Sequence, residues 1–251
     1  SLGINREDIN QLVLSGLGEP GQGLLPKLHP AYVEKVDKAY TEYAPDKANR
    51  ILDSLGLTKR DRDGFRLRPD GKTLAVTIDA STHHTPSIDI MQLVVEQWKK
   101  LGIKAEVKVM ERSLFETRHQ GNEQELHTFT VSFGADGYSG DRAPNTRWCP
   151  LWYNWLNSGG KTGEEPPKEV KKLWQLMNED FYSTTSEARR TAILKEAMRL
   201  HADNLWVIGT AGVNWMMGIA RNNLRNVPDS GFTWHPAAPG VFRPEQFFFK
   251  K

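Results

Sequence analysis

The sequence has one cysteine, Cys149, in 251 residues, so an internal disulfide framework and a multi-cysteine metal site are excluded. A single thiol leaves the compartment open, because exported bacterial proteins also do without disulfides. Charge of one sign is lacking too. The net charge is +2 and the basic residues are scattered, which gives no electrostatic footprint for nucleic acid or an acidic membrane. No apolar run approaches the roughly 18 residues of a membrane span, and no basic-then-apolar segment opens the chain. A soluble chain is expected, either cytosolic or already trimmed. The sequence also holds no His-Glu-x-x-His, no Cys-x-x-Cys pair, no Gly-x-Ser-x-Gly elbow and no Walker lysine. No metal and no cofactor are predicted.

With 38% hydrophobic and 25% charged residues, the composition is that of an ordinary globular protein with one large core or two modest ones. In "INREDINQLVLSG" a helix is expected, capped by Asn5, with Glu7 and Asp8 in its first turn, Ile9, Leu12 and Val13 on one face, and a stop at Gly16. "GLGEPG" matches Gly-x-Gly-x-x-Gly but follows a helix, and Pro20 removes a donor a phosphate would need, so it is read as a turn. A second helix begins with Pro45, buries Ala48, Ile51, Leu52 and Leu55, and stops at Gly56. Turn signals at Asp63-Gly64 and Asp70-Gly71 mark a hairpin leading into a strand that carries Leu74, Val76 and Ile78. A helix from Pro86 to Leu101 follows, with Met91, Val94, Val95, Trp98 and Leu101 inward, and then a strand from Lys104 to Met110. Such a strand–helix–strand unit requires parallel strands and a right-handed crossover.

A further strand carries Phe129, Val131 and Phe133 and ends in Gly134-Ala135-Asp136-Gly137. Two amphipathic helices come next, one burying Val170, Leu173, Trp174, Met177 and Phe181, the other Ala188, Ala192, Ala197, Met198 and His201. A short strand is expected at Trp206 to Thr210. The tail from Asn222 is rich in proline and aromatics, weak in periodicity, and suited to lying on another body.

For chemistry, His83 and His84 are adjacent and point apart, and Cys149 sits between Trp148 and Pro150 in an inert apolar setting. Asp136 and Asp141 could serve as a glycosidase pair, or as turn and solvated carboxylates. Asp136 stands out by position, in a glycine-flanked turn just past a strand end, where open α/β sheets gather ligands. Downstream lie Trp148, Trp152 and Trp155, at i, i+4 and i+7. Pro150 argues against a regular helix through Trp148 but permits one beginning near it. A carboxylate beside flat, amphipathic rings suits a primary amine or a sugar, and neither requires catalysis.

The segments "INREDI", "YAPDKANRILDSLGL", "DGFRLRPDGKTLAVTI", "QLVVEQWKKLGIKAEVKV", "FGADG" and "NNLRNVP", in this order, resemble the C-terminal half of bacterial extracellular solute-binding proteins of family 5. The resemblance implies an α/β fold: a type II periplasmic-binding-protein lobe with a mixed sheet and helices on both faces. It implies a ligand-binding C-terminal lobe over 1–221 and a tail over 222–251 that returns to an N-terminal lobe missing from this chain. The implied function is non-enzymatic capture of an oligosaccharide or oligopeptide for an ABC importer, with the N-terminal lobe and permease subunits as partners and no nucleic acid. The implied place is the periplasm or the outer face of the membrane. Asp136 matches the aspartate that holds a peptide's amino group in that family. After it this chain reads Gly137-Tyr138-Ser139-Gly140-Asp141 where family members commonly continue to an Asp-Pro, and the tryptophan-dense segment that follows is more like the oligosaccharide binders. The expected ligand-binding residues are Asp136, Gly137, Tyr138, Trp148, Trp152 and Trp155, with oligosaccharide ahead of peptide and none catalytic. The alternative is a carbohydrate-active hydrolase using Asp136 and Asp141.

Overall fold

A computed structural model describes residues 1–83, 85–130, 143–212, 219–229 and 243–250. Helix α1 (Arg6–Leu14) begins where the Asn5 side chain accepts the Asp8 amide at 3.2 Å and ends at Ser15, whose φ of 53° lies in the left-handed region. Its inward stripe is not the expected one. Leu12 is 70% exposed, and the buried face runs through Arg6, Ile9 and Asn10, with Val13 packed beside it. Polar groups hold that register: the Arg6 guanidinium donates to the carbonyls of Ser1, Ile4, Thr41 and Gly209, and Asn10 Oδ1 accepts the Gly18 amide. The expected turn at Gly16–Gly21 contains a short strand, β1 (Glu19–Pro20).

One turn of helix, α2 (Glu34–Asp37), precedes α3 (Pro45–Ser54), which starts on Pro45 and is followed by Gly56 at φ 82°. Ala48 is buried and Leu52 packs beside it, but Ile51 and Leu55 are exposed, the latter by 66%. Through Ala48 and Leu52, α3 packs on Leu2 and Leu101, with Trp98 and Ile103 alongside. Its Asn49 and Asp53 instead hold the buried guanidinium of Arg66.

The hairpin forms bridges Arg60↔Arg66 and Leu67↔Thr73, with Gly64 and Gly71 at positive φ in its turns. It leads into β2 (Ala75–Ser81), helix α4 (Thr85–Lys100) and β3 (Lys104–Met110). β2 and β3 are parallel over their whole length, from Ala75↔Lys104 to Ser81↔Met110. Ile90 and Val94 of α4 pack on Ile4 and Ile9, and Trp98 bridges that cluster to the one around Leu101. Helix α5 (Arg112–Gln120) then returns the chain to β4 (Leu126–His127), which pairs parallel to the other edge of β2, giving the order β3-β2-β4. The expected continuation of this strand through Val131 and Phe133, together with His84, lies outside the described residues.

Helix α6 (Pro150–Asn157) starts on its proline. Helix α7 (Lys168–Trp174) runs on as a π-helical turn, Gln175–Asp180, which brings both Leu176 and Met177 inward. With α8 (Glu187–Asn204), α7 and its π-helical turn build the largest core cluster among the described residues, which also takes in Leu24, Leu25 and Ala31. On α8 the expected Ala188 and Ala192 are exposed, and Ile193 and Leu194 replace them beside Ala197, Met198 and His201. The larger side chains claim the core and rotate the stripe. The strand expected at Trp206 to Thr210 is irregular chain; pairing begins just beyond it, at β5 (Ala211–Gly212), antiparallel to β1. Among the described residues of the tail, β6 (Leu224–Arg225) pairs antiparallel with β7 (Phe248–Phe249). Among the described residues no helix is long and apolar enough to cross a membrane.

Candidate functional site

A cavity of about 690 Å³ opens where β1, α4, the chain leaving β4 and the segment after α8 converge. Helix α4 gives it an apolar wall of Ile90, Met91, Val94 and Trp98. Opposite in character is an aromatic pair, Trp148 and Trp206, stacked at 5.5 Å and 20°. His201, buried at the end of α8, meets both rings edge-on at 5.6 and 5.3 Å. Trp148 is fixed further by its indole N–H, which donates to the Ala143 carbonyl at 2.9 Å. Each ring thus has one side held by the protein and lines a cavity, the arrangement by which an aromatic offers a pre-set platform.

The wall made by β1 and its flanks is pinned to the segment after α8. Gln22 donates to the Ala39 carbonyl at 2.7 Å and accepts the Gly209 amide at 2.8 Å, while the Gly209 carbonyl accepts from Arg6 at 3.0 Å. A Cβ on Gly209 would stand 2.3 Å from the Gln22 carbonyl oxygen, so only glycine allows the approach. Gly209→Ala should force the two walls apart and cost about 1 to 3 kcal/mol, read as a lower urea midpoint; an unchanged midpoint would mean that the approach is not needed.

His127, at the end of β4, also lines the cavity. Its ring lies 4.7 Å from that of His119 and edge-on to Phe115 at 5.9 Å. Burial first, and His119 second, push its pKa down to about 4, against the pull of Asp79. It therefore presents a neutral imidazole at neutral pH. Asp79 is itself buried and paired with Arg118 at 3.1 Å. Cys149 is buried, and desolvation pushes its thiol up to about 12, so it is no nucleophile. Among the described residues no three His, Cys, Asp or Glu side chains converge as metal ligands.

Of the residues expected to bind ligand, Asp136, Gly137 and Tyr138 lie outside the described residues, as does Asp141. Trp148 lines the cavity; Trp152 and Trp155 do not. The helix begins at Pro150, so Trp148 stands before it and the three rings share no helical stripe. Trp155 is covered by Lys171, whose ammonium sits 4.8 Å from its ring centroid. The neighbouring Tyr153 packs edge-on against Trp174. Trp206, like His127, is a cavity residue that sequence reading did not single out. Its place follows from Leu205, which ends α8 in the left-handed region at φ 50° and turns the chain toward the cavity, a conformation that a leucine does not advertise.

Residues 1–154 match the family described as bacterial extracellular solute-binding proteins, family 5 middle. The oligopeptide-binding protein OppA of Lactococcus lactis subsp. lactis is 34% identical over 100 residues, which are 39% of this chain and 16% of that protein. A solved oligopeptide-binding protein OppA superposes with a TM-score of 0.77 at 31% identity, covering 100% of this chain and 42% of the other. The periplasmic oligopeptide-binding protein of Thermotoga maritima, solved with mannohexaose bound, gives a TM-score of 0.65 at 19% identity over 90% of this chain and 42% of that one. The chain thus spans less than half the length of these relatives.

Proposed function

The chain belongs to the bacterial extracellular solute-binding proteins of family 5, and we propose that it is the ligand-binding lobe of the solute-binding component of an ABC importer. In this reading residues 1–221 form the C-terminal lobe, the tail from 222 returns to an N-terminal lobe, and the assembled protein works at the periplasmic or outer face of the membrane with permease subunits. The family is one of binders, so the hydrolase alternative on Asp136 and Asp141 is not retained. The observation that carries the proposal is the likeness to OppA along the whole chain at an identity above that of fold-level resemblance. That likeness puts oligopeptide first as ligand. Oligosaccharide is the second reading, supported by the stacked Trp148 and Trp206 on the cavity wall and by mannohexaose in a protein of the same fold.

Two substitutions in the full-length protein separate the readings. If the ligand is a peptide whose amino group is held by Asp136, a charge-assisted bond of about 1.5 to 3 kcal/mol is at stake, and Asp136→Asn should weaken binding roughly tenfold to a hundredfold. If the ligand is a sugar, asparagine still bonds a hydroxyl, and Trp148→Ala becomes the more damaging change because it removes a stacking face. Calorimetric titration with an equimolar library of tetra- to hexapeptides, and separately with mannohexaose, reads the ranking. Binding of neither would sink the solute-binding reading.

A further inference from the structure

The sequence spreads its basic residues along the chain, and the fold gathers some of them at one end. Residues 59–72 and 99–104 hold nine of the 33 Lys and Arg and only three of the 31 Asp and Glu, a local excess of +6 in a chain of net charge +2. The first segment is the hairpin before β2; the second joins the last turn of α4 to the start of β3. They meet where both parallel strands begin. The Arg66 amide donates to the Gly102 carbonyl at 2.7 Å, the Lys104 amide donates to the Leu74 carbonyl at 2.9 Å, and the Arg60 guanidinium lies over Gly102. Apart from the buried Arg66, the nine basic residues are exposed. Asp53 holds Arg66 and Asp70 holds Arg68, while Asp61, on which Lys104 acts, accepts the Thr73 hydroxyl at 2.8 Å and the amides of Asp63 and Phe65 at 3.0 Å. None of the other seven basic side chains lies within ion-pair distance of a carboxylate among the described residues. Counting the neighbouring Asp53, Glu96 and Glu106 as well still leaves this end at +3.

Exposed cations spread over a hairpin and a helix end fix no single anion in place and suit many mobile ones, which is what the headgroups of an anionic bilayer present. Apolar side chains flank them. Leu55, 66% exposed, and Ile51, 45% exposed, stand on and just past α3, beside the Asn49 and Asp53 that hold Arg66. Cations that meet phosphates and apolar side chains that enter the headgroup layer are the two means by which a protein surface binds lipid. An acidic protein face would call for fixed pairing geometry, which extended, exposed lysines do not provide. We infer that this end of the lobe is a docking surface for an anionic phospholipid membrane. The rest of the chain carries a net −4, so its repulsion from the same membrane turns the basic end toward it. The inference goes beyond ligand capture: it draws on the family's place outside the cell, and none of the nine basic residues lines the cavity.

The test is co-sedimentation of the full-length protein with vesicles of pure phosphatidylcholine and with vesicles containing about 30% phosphatidylglycerol, at about 50 mM salt. Partition onto the anionic vesicles should exceed that onto the neutral ones about a hundredfold or more, and most of the difference should vanish at about 500 mM salt. Lys59→Gln, Arg62→Gln and Lys72→Gln together should bring it close to the neutral value, a loss of about fivefold per cation removed, with an unchanged melting temperature because all three side chains are exposed. Leu55→Ser should weaken binding about fivefold and leave its salt dependence intact. The matching control removes three exposed lysines elsewhere, Lys35→Gln, Lys161→Gln and Lys195→Gln, and should stay within about threefold of wild type. Equal partition onto the two kinds of vesicle, or a control variant that loses as much as the hairpin variant, would overturn the inference. So would a protein that stays in the supernatant with both kinds, which would leave an acidic protein face as the partner of this end.

Discussion

Arg66→Met should cost the fold about 3 to 5 kcal/mol, a large share of the stability of any domain. Arg66 is 1% exposed, one of the most deeply buried large side chains among the described residues. Its Nε donates to the Leu101 carbonyl at 2.8 Å; its terminal nitrogens donate to Asp53 at 2.6 Å, to Asn49 Oδ1 at 2.8 Å and to the Leu57 carbonyl. It thereby ties α3 and the turn after it to the end of α4. Methionine fills much of the volume and supplies none of these donors. Asp53 is half exposed and can return to water, so the loss falls on the carbonyls of Leu101 and Leu57, each orphaned at about 1 to 3 kcal/mol. Urea denaturation reads the difference. A change below 1 kcal/mol would mean that water reaches the vacated space and that Arg66 is a bystander.

Arg66 also marks where sequence reading stops. Local signals were legible: Asn5 as a cap, Pro45 and Pro150 as first helical residues, and Gly64 and Gly71 at positive φ all stand where their chemistry requires. The alternation in β2 and β3 and the apolar period of α4 were enough for a parallel strand–helix–strand unit. Stripe orientation was less legible, because an apolar count gives no weight to a buried arginine. Arg6 and Asn10 turn α1, Arg6 by satisfying carbonyls as distant as that of Gly209 and Asn10 by accepting the Gly18 amide, and Leu12 is left outside. On α8 two alanines yield to Ile193 and Leu194, which bury more apolar area per residue.

The site was legible only in part for a related reason. A local pattern shows that Trp148, Trp152 and Trp155 are close in sequence, but which face reaches the cavity is decided by contacts from other elements. Trp148 is drawn to the cavity by Trp206 and His201, roughly fifty residues downstream, while Lys171 of α7 covers Trp155. His127 carries no motif. What gives it a role is its burial against Phe115 and His119, a property of the assembled walls.

His127 supplies the second large effect, a loss of stability in acid. With its pKa pushed down to about 4 from an ordinary value of 6.5, the folded state resists a proton that the unfolded chain accepts. Stability should therefore be unaffected by this group above pH 6.5, fall as pH drops from 6.5 toward 4, and level off below 4. The full difference corresponds to about 3 kcal/mol, most of it lost by pH 4.5. Carboxylates and other histidines add their own slopes, so the quantity to measure is the contrast between wild type and His127→Gln. The variant should lose at least 2 kcal/mol less than wild type between pH 7 and 4.5 in urea denaturation. Parallel curves would mean that His127 takes its proton in place, with water or a carboxylate nearer than the described packing against Phe115 and His119 allows. Because the ring lines the cavity, a ligand that covers it deepens the same desolvation. Ligand affinity should then hold between pH 7 and 5, where the folded ring is already neutral, and fall as pH passes below about 4 in wild type and less in His127→Gln; calorimetry of the full-length protein with its peptide library at pH 5 and 3.5 would show it.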